Sequence, residues 1–252
     1  MLVFCALSFR FTRSEQSMGT RPSTAAASTV SIPFIGCRSE GQTEPLEAPK
    51  GTLKSVPISP EAAQALAYYG SALDLGVLAP RGWYCLGVYG SGGNFLYVSS
   101  RPIDTQNILA PNDRGFEGPA IEVSERHSDQ LGDQPEKAQI IARALPAYKA
   151  LVIEMMQWSD VPPSEYPFGP YPSDRLTYKS NRVVEYRTPA RTEGLGTHSS
   201  LRKNGSPIEG VVILNGEPPD LILLSVRLPR EHRELAPVVV RHFEREVALR
   251  PR

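Results

Sequence analysis

The chain has 252 residues, and its 27 Lys and Arg residues balance its 27 Asp and Glu residues. A neutral chain lacks the basic excess that nucleic-acid binding needs, and no apolar run reaches the roughly 18 residues of a membrane-spanning helix. Proline is frequent, at 24 residues, so long irregular connections are expected between the regular elements.

Residues 1–30 are predicted to lie outside the folded core, because they are polar and low in complexity after a short apolar run. That run, residues 2–9, has about the length of the apolar part of a signal peptide, but no basic segment precedes it. Two interpretations stay open, a degraded export signal and a disordered cytosolic leader. We expect a single domain over residues 31–252.

The first predicted helix begins at Ser59-Pro60-Glu61, where an N-cap residue, a proline suited to the first turn and an acidic residue come together. Its apolar face continues to a stop near Gly70. Residues 83–89 and 95–99 then predict a β-hairpin, because aromatic and β-branched residues flank a glycine-rich turn. Strand-like sequence and no lysine follow these glycines, so they do not form a phosphate-binding loop.

A second helix is predicted over about 135–157, and Pro146 either bends it or divides it into two. The segment 161–172 is rich in Pro and Tyr, which favours an extended tether around the domain or a docking segment for a partner. The rest of the chain predicts four strands in two hairpins, which cover residues 175–179, 182–188, 208–214 and 220–228. An amphipathic C-terminal helix is predicted over about 233–248, with its regular part starting near 236 because of Pro237.

Strands that come in hairpins rather than in alternation with helices indicate an α+β fold. We therefore expect an antiparallel β-sheet built from hairpins, with about three helices packed on one face and long Pro-rich connecting loops. The segments near 83–99 and 208–228 belong either to one sheet or to two.

Two of the three cysteines, Cys37 and Cys85, fall in the part of the chain that is expected to fold. This is the number that one disulfide needs, and such a bond would favour an oxidising compartment outside the cytosol. The alternative is a pair of buried free thiols. The cysteines and the four histidines have no metal-binding spacing, so we expect neither a metal site nor a cofactor.

The catalytic hypothesis rests on the polar, glycine-containing loop at residues 193–200. His198 and Glu193 in this loop, with Glu185 on the charged strand before it, could act as acid or base. No nucleophile motif accompanies them. The alternative is a mobile surface loop between two hairpins.

The ligand-binding hypothesis rests on aromatic residues around the first hairpin. Trp83, Tyr89 and Tyr97 could form a stacking platform for sugar rings or peptides, and Arg187 is a further candidate ligand-binding residue. The alternative is that these rings cover the core face of the sheet.

The favoured function is that of a non-catalytic binding or envelope-associated domain, secreted or periplasmic rather than cytoplasmic. One alternative is a small hydrolase-like enzyme that uses the loop at 185–199, and another is a cytosolic protein that binds a partner through segment 161–172. An envelope component or a protein is the expected kind of partner, and a nucleic acid is not.

Overall fold

The computed structural model describes residues 29–108, 115–128, 134–157 and 167–250. Within these ranges the strands are β1 (Val30–Cys37), β2 (Ser39–Gly41), β3 (Leu53–Val56), β4 (Leu66–Ser71), β5 (Gly76–Pro80), β6 (Tyr84–Gly90), β7 (Gly93–Ser99), β8 (Ala120–Arg126), β9 (Arg175–Tyr178), β10 (Val183–Thr188), β11 (Ile208–Asn215) and β12 (Asp220–Arg227). The helices are α1 (Pro60–Ala65), α2 (Thr105–Ile108), α3 (Gln134–Ala144), α4 (Lys149–Met156) and α5 (Ala236–Ala248).

The strands form two sheets. The small sheet has four strands in the order β3-β1-β4-β5, and its central pair, β1 and β4, runs parallel. The large sheet has eight strands in the order β2-β6-β7-β8-β12-β11-β10-β9. Its pairs are antiparallel except for the edge pair of β2 and β6, which is parallel.

The large sheet lies in the middle of the molecule and buries apolar residues on both faces. On one face, Val211 and Ile213 pack in a core with the small sheet and α5. On the other face, Val212 and Leu214 pack in a second core with α3 and α4. These four residues alternate along β11, as the two-residue period of a strand requires. We call the first the α5 face and the second the α3 face.

The broad α+β class is confirmed, but the predicted arrangement is wrong in two respects: two strand pairs are parallel, and helices cover both faces of the large sheet instead of one. The question left open by the sequence is also answered, because all the predicted hairpins belong to the large sheet and the small sheet is additional to them. The small sheet explains most of the difference, because three of its strands come from segments that the sequence had assigned to an extended lead-in, a helix end and a linker.

The first helix begins as predicted and ends earlier. The Ser59 hydroxyl accepts a hydrogen bond from the backbone N–H of Ala62 at 3.2 Å, so Ser59 is the N-cap. The helix stops at Ala65, because β4 follows directly and is buried on both sides. The apolar spacing that imitated a helical face belongs to a strand in which every residue is buried.

The hairpin of β6 and β7, the break at Pro146 and the later hairpins agree with the prediction. Residues 1–28 of the leader and 161–166 of the Pro/Tyr segment lie outside the described residues. In the part of the chain that the structure describes, no helix is long and apolar enough to cross a membrane. The single-domain assignment for 31–252 stays a prediction.

Candidate functional site

Strand β8 places charged and polar side chains inside the molecule. Ile121 and Val123 point into the core on the α5 face, whereas Glu122, Ser124 and Arg126 point to the α3 face. Glu122 is only 1% exposed and Arg126 only 3%. Charged residues are almost never buried so completely unless they are paired, so this strand marks a specialised region of the sheet.

Glu122 belongs to a row of directly opposed residues that crosses the large sheet. One member, Gly210, allows the ring of Tyr186 to lie across the neighbouring strand, because a Cβ at Gly210 would approach the Tyr186 hydroxyl to 2.6 Å. The Tyr186 hydroxyl then reaches the Ser225 hydroxyl at 2.6 Å. In order across the sheet the row is Leu176, Tyr186, Gly210, Ser225, Glu122, Tyr97 and Leu86.

The Glu122 carboxyl is held by the backbone of a neighbouring loop. Its Oε2 atom accepts a hydrogen bond from the Ser200 N–H at 2.6 Å. Burial raises the pKa of Glu122 to about 7, although the Ser200 N–H and the nearby Arg126 charge oppose this shift. Glu122 can therefore take up or release a proton near neutral pH.

Arg126 lies on the same face of β8 as Glu122 and leads toward the surface. Its Nη1 donates to the Ser124 hydroxyl at 2.6 Å, and its Nη2 pairs with Glu136 of α3 at 3.0 Å. The guanidinium also lies 5.4 Å from the centre of the Phe95 ring. Because the Glu136 side chain is 44% exposed, the polar cluster extends from the core of the sheet to solvent.

His198 lies at the edge of the same cluster, in a short 3₁₀ turn at Leu195–His198. Its Nε2 is 2.7 Å from the Tyr171 hydroxyl, and Arg143 lies 4.2 Å above the Tyr171 ring. Burial lowers the pKa of His198; the negative charge of Glu136 opposes this shift, and the positive charge of Arg126 adds to it. The imidazole is therefore neutral at neutral pH.

Hydrogen bonds to one carboxylate fix the loop that carries His198. The two carboxylate oxygens of Asp174 accept from the Thr188 hydroxyl at 2.7 Å and from the Leu195 N–H at 2.8 Å. The Gly196 N–H donates to the Thr188 hydroxyl oxygen at 3.0 Å. The loop therefore presents His198 from a supported backbone.

The three predicted catalytic residues are not brought together. Glu193 shares the loop of His198, but it is exposed and paired with Lys203. Glu185 lies on the α5 face and pairs with Lys179 at 3.0 Å. Burial raises the pKa of Glu244 on α5 to about 7, and the charge of Glu185 adds to this shift, so Glu185 faces α5 and not His198.

The four predicted ligand-binding residues are also spread out. Tyr97 lies on the α3 face and is 7% exposed, whereas Tyr89 lies on the other face of the hairpin. The Tyr89 hydroxyl donates to the Glu44 carbonyl oxygen at 2.5 Å. Trp83 packs against the α5-face core, and Arg187 pairs with Glu209 at 3.2 Å. They therefore do not share one surface.

The predicted disulfide between Cys37 and Cys85 is present. Cys37 is the last residue of β1 in the small sheet, and Cys85 lies in β6 of the large sheet. The bond therefore joins the two sheets covalently.

A cavity of about 460 Å³ lies apart from this cluster, between α5 and the small sheet. The Tyr68 hydroxyl donates to Glu246 there at 3.0 Å, and Lys54 pairs with the same carboxylate at 3.3 Å. The nearby His242, which its position in a charged helix would place at the surface, is buried at 3% exposure.

Sequence reasoning missed Glu122, Ser124 and Arg126. A signal existed, because apolar and polar residues alternate over residues 121–124. An alternating strand normally exposes its polar side to water. Only the packing of α3 on that side turns the pattern into a buried polar cluster.

Comparisons with known protein families, curated proteins and solved structures gave no match to this chain.

Proposed function

We propose that this chain is an exported, disulfide-stabilised domain that binds a small, neutral, hydroxyl-rich molecule without transforming it. The observation that carries this proposal is the burial of Glu122, Ser124 and Arg126 on one face of a central strand. We place the binding site at this cluster, with its entrance near Glu136 and His198.

Energetic cost argues for a functional role of the cluster. Burying an ionisable side chain costs free energy that an apolar side chain at the same position would not cost. Groups whose pKa is strongly shifted also concentrate at functional sites. Glu122, which is 1% exposed and has a pKa of about 7, meets both criteria in the large sheet.

Charge balance favours a neutral ligand. The charge of Arg126 is paired with that of Glu136. The pKa shifts of His198 and Glu122 leave His198 neutral and Glu122 close to half protonated at neutral pH. Carboxyl, guanidinium, hydroxyl and imidazole groups together donate and accept hydrogen bonds as a polyol requires.

Aromatic rings supply the apolar part of such a site. Tyr97 stacks on Phe95 at 6.1 Å and touches Phe116 at 5.6 Å. A cleft of about 350 Å³, whose lining includes Ser99 and Phe116, opens beside the Phe116 ring. Apolar walls with a few placed polar groups are typical of small-molecule sites.

Binding without catalysis is supported by what the candidate reactive groups already contact. Glu193 is engaged by Lys203, Glu185 faces α5, and the His198 Nε2 is shared with Tyr171. A general base must lie within hydrogen-bond reach of the proton that it removes from a substrate or a nucleophile. The contacts just named already engage these three side chains with other groups of the protein.

Thermal-shift measurements with defined ligands test the binding site. Glucose, N-acetylglucosamine and sorbitol are compared with glutamate and lysine, in the wild type, in Glu122→Gln and in the control Glu231→Gln, which changes an exposed carboxylate. We expect at least one neutral ligand to raise the Tm of the wild type and of the control, and to lose this effect in Glu122→Gln. A wild type that responds only to the charged ligands, or to none, would contradict the proposal.

Thiol counting tests the proposed export. The chain has three cysteines and the disulfide uses two, so protein recovered from an oxidising compartment should show at most one free thiol when denatured without reductant. Three reactive thiols in that sample would remove the argument for export.

A hydrolase is the second candidate, and one observation favours it: a neutral imidazole lies 2.7 Å from a tyrosine hydroxyl at the edge of the cluster. Hydrolysis of 4-nitrophenyl acetate by the wild type, with loss of that activity in His198→Ala, would replace the binding proposal with this one. Equal background rates in both proteins would exclude this use of His198.

A further inference from the structure

Three metal-ligating side chains converge at one end of the large sheet, on the face opposite Glu122. Glu125 and His127 are two residues apart at the end of β8, so they project from the same face. The register of β8 with β12 places Asp220 beside His127. One ligand atom from each of the three lies within 4.8 Å of the other two.

We propose that Glu125, His127 and Asp220 bind a divalent transition-metal ion of the Zn²⁺ type. The sequence had indicated no metal site because the histidines and cysteines lack the usual close spacing. This set instead combines a two-residue spacing on one strand with a residue from the next strand, which only the fold brings together.

The distances between the ligand atoms fit a shared ion better than direct pairing. The His127 Nδ1 lies 3.8 Å from the Asp220 Oδ2, which is too long for a hydrogen bond. Two ligand atoms that each bind Zn²⁺ at about 2.1 Å in tetrahedral geometry are about 3.4 Å apart. The two atoms are therefore near the separation that a bridging ion imposes.

The donor types select the class of metal. One imidazole nitrogen and two carboxylates make a mixed set that suits Zn²⁺ and its neighbours in the first transition row. Ca²⁺ takes six to eight oxygen ligands, which is more than this site provides. The three residues are half-buried, so water can complete the coordination of the ion.

Neighbouring groups already orient two of the three ligands. The Ser128 N–H donates to the Asp220 Oδ1 at 2.7 Å, which leaves Oδ2 directed at His127. The Asn94 Nδ2 lies 3.2 Å from the His127 Nε2. A 180° rotation of the Asn94 amide about its last side-chain bond would place its oxygen there instead, so that Asn94 would accept the Nε2–H and leave the Nδ1 lone pair for the ion, as in the usual support of a metal-binding histidine.

Arg250 pairs with the third ligand, Glu125. Its Nη1 lies 3.4 and 3.5 Å from the two carboxylate oxygens of Glu125. A metal ion must compete with this guanidinium for Glu125, and the positive charge of Arg250 also weakens cation binding nearby. Removal of Arg250 should therefore tighten binding, which is a result that a purely structural role of the cluster would not give.

Competition with a chromophoric zinc chelator tests the proposal on the full, tag-free chain after metal removal. We expect one equivalent of Zn²⁺ in the wild type and at least a tenfold loss of affinity in His127→Ala and in the shape-conserving Asp220→Asn. The control His232→Ala, which removes a histidine outside the cluster, should bind as the wild type does. Arg250→Gln should bind Zn²⁺ several-fold more tightly.

Four results would overturn the proposal: no stoichiometric Zn²⁺ in the wild type, unchanged affinity in Asp220→Asn, a Ca²⁺ or Mg²⁺ affinity above that for Zn²⁺, or weaker binding in Arg250→Gln. Circular dichroism of each variant shows whether it is folded, and Asp220→Asn decides the question if His127→Ala is not.

Discussion

The proton on the Glu122 carboxyl affects both the stability of the fold and the proposed ligand binding. Its buried carboxyl has a pKa of about 7, whereas the unfolded value is 4.5. Between these pH values the folded state holds a proton that the unfolded state has lost, so the wild type loses stability as pH rises from about 4.5 to about 7. The shift corresponds to about 3 kcal/mol.

Glu122→Gln should remove this pH dependence, because the amide cannot ionise and its oxygen can still accept from the Ser200 N–H. Urea unfolding at pH 5 and pH 8 measures the effect. We expect the variant to gain about 2–3 kcal/mol relative to the wild type between the two pH values. The exposed Glu231→Gln should show no such gain, and parallel pH profiles for Glu122→Gln and the wild type would contradict the raised pKa.

At the scale of residues, the sequence could identify His198 as a candidate in a polar, glycine-containing loop, but neither the support of that loop nor the partners of His198. Tyr171 and Arg126 come from segments far from it along the chain. Their meeting depends on the packing of the large sheet, which no local pattern encodes. Cys37 and Cys85 were easier to pair, because a folded region with two cysteines allows only one bond.

At the scale of elements, α5 is the helix that joins the two sheets on one face. Its apolar residues pack in the core that also contains residues of β5, β11 and β12. The amphipathic pattern predicted this helix, and Val239, Phe243 and Val247, which recur every four residues along it, are buried.

Phe243→Ala should therefore lower the free energy of unfolding by about 3–5 kcal/mol, because it removes a fully buried ring from this core. Leu249→Ala just after the helix is the control; its side chain is 84% exposed, and the change should stay within about 0.5 kcal/mol. Denaturant unfolding of both variants gives the comparison. If both variants lost less than about 0.5 kcal/mol of unfolding free energy, α5 would not hold the two sheets together.

Element types were predicted best where turn or cap chemistry marked their ends, as at Ser59 and in the glycine-rich turn before β7. The prediction failed at β4, where consecutive apolar residues satisfied a helical spacing by coincidence. A strand that is buried on both faces shows no alternation, so periodicity cannot separate it from a short helix.

At the scale of the whole molecule, two sheets pack against each other, and each sheet contains strands from distant segments of the chain. The parallel pair of β1 and β4 and the antiparallel pair of β8 and β12 have no local sequence signature, since each strand could pair with several others. For the same physical reason the hairpins were predictable and the second sheet was not.

The disulfide should contribute strongly to stability, because it joins the two sheets across a separation of 48 residues. Closing a loop of this length restricts the unfolded chain by about 4 kcal/mol in the entropy model, and native disulfides typically contribute about 2–4 kcal/mol. Urea unfolding with and without reductant should show a loss of this size in the wild type. The double variant Cys37→Ser/Cys85→Ser should match the reduced wild type and should not respond to reductant. An equal loss in the double variant when reductant is added would assign the effect to something other than this bond. The expected pattern would mean that the fold has this part of its stability only in an oxidising environment.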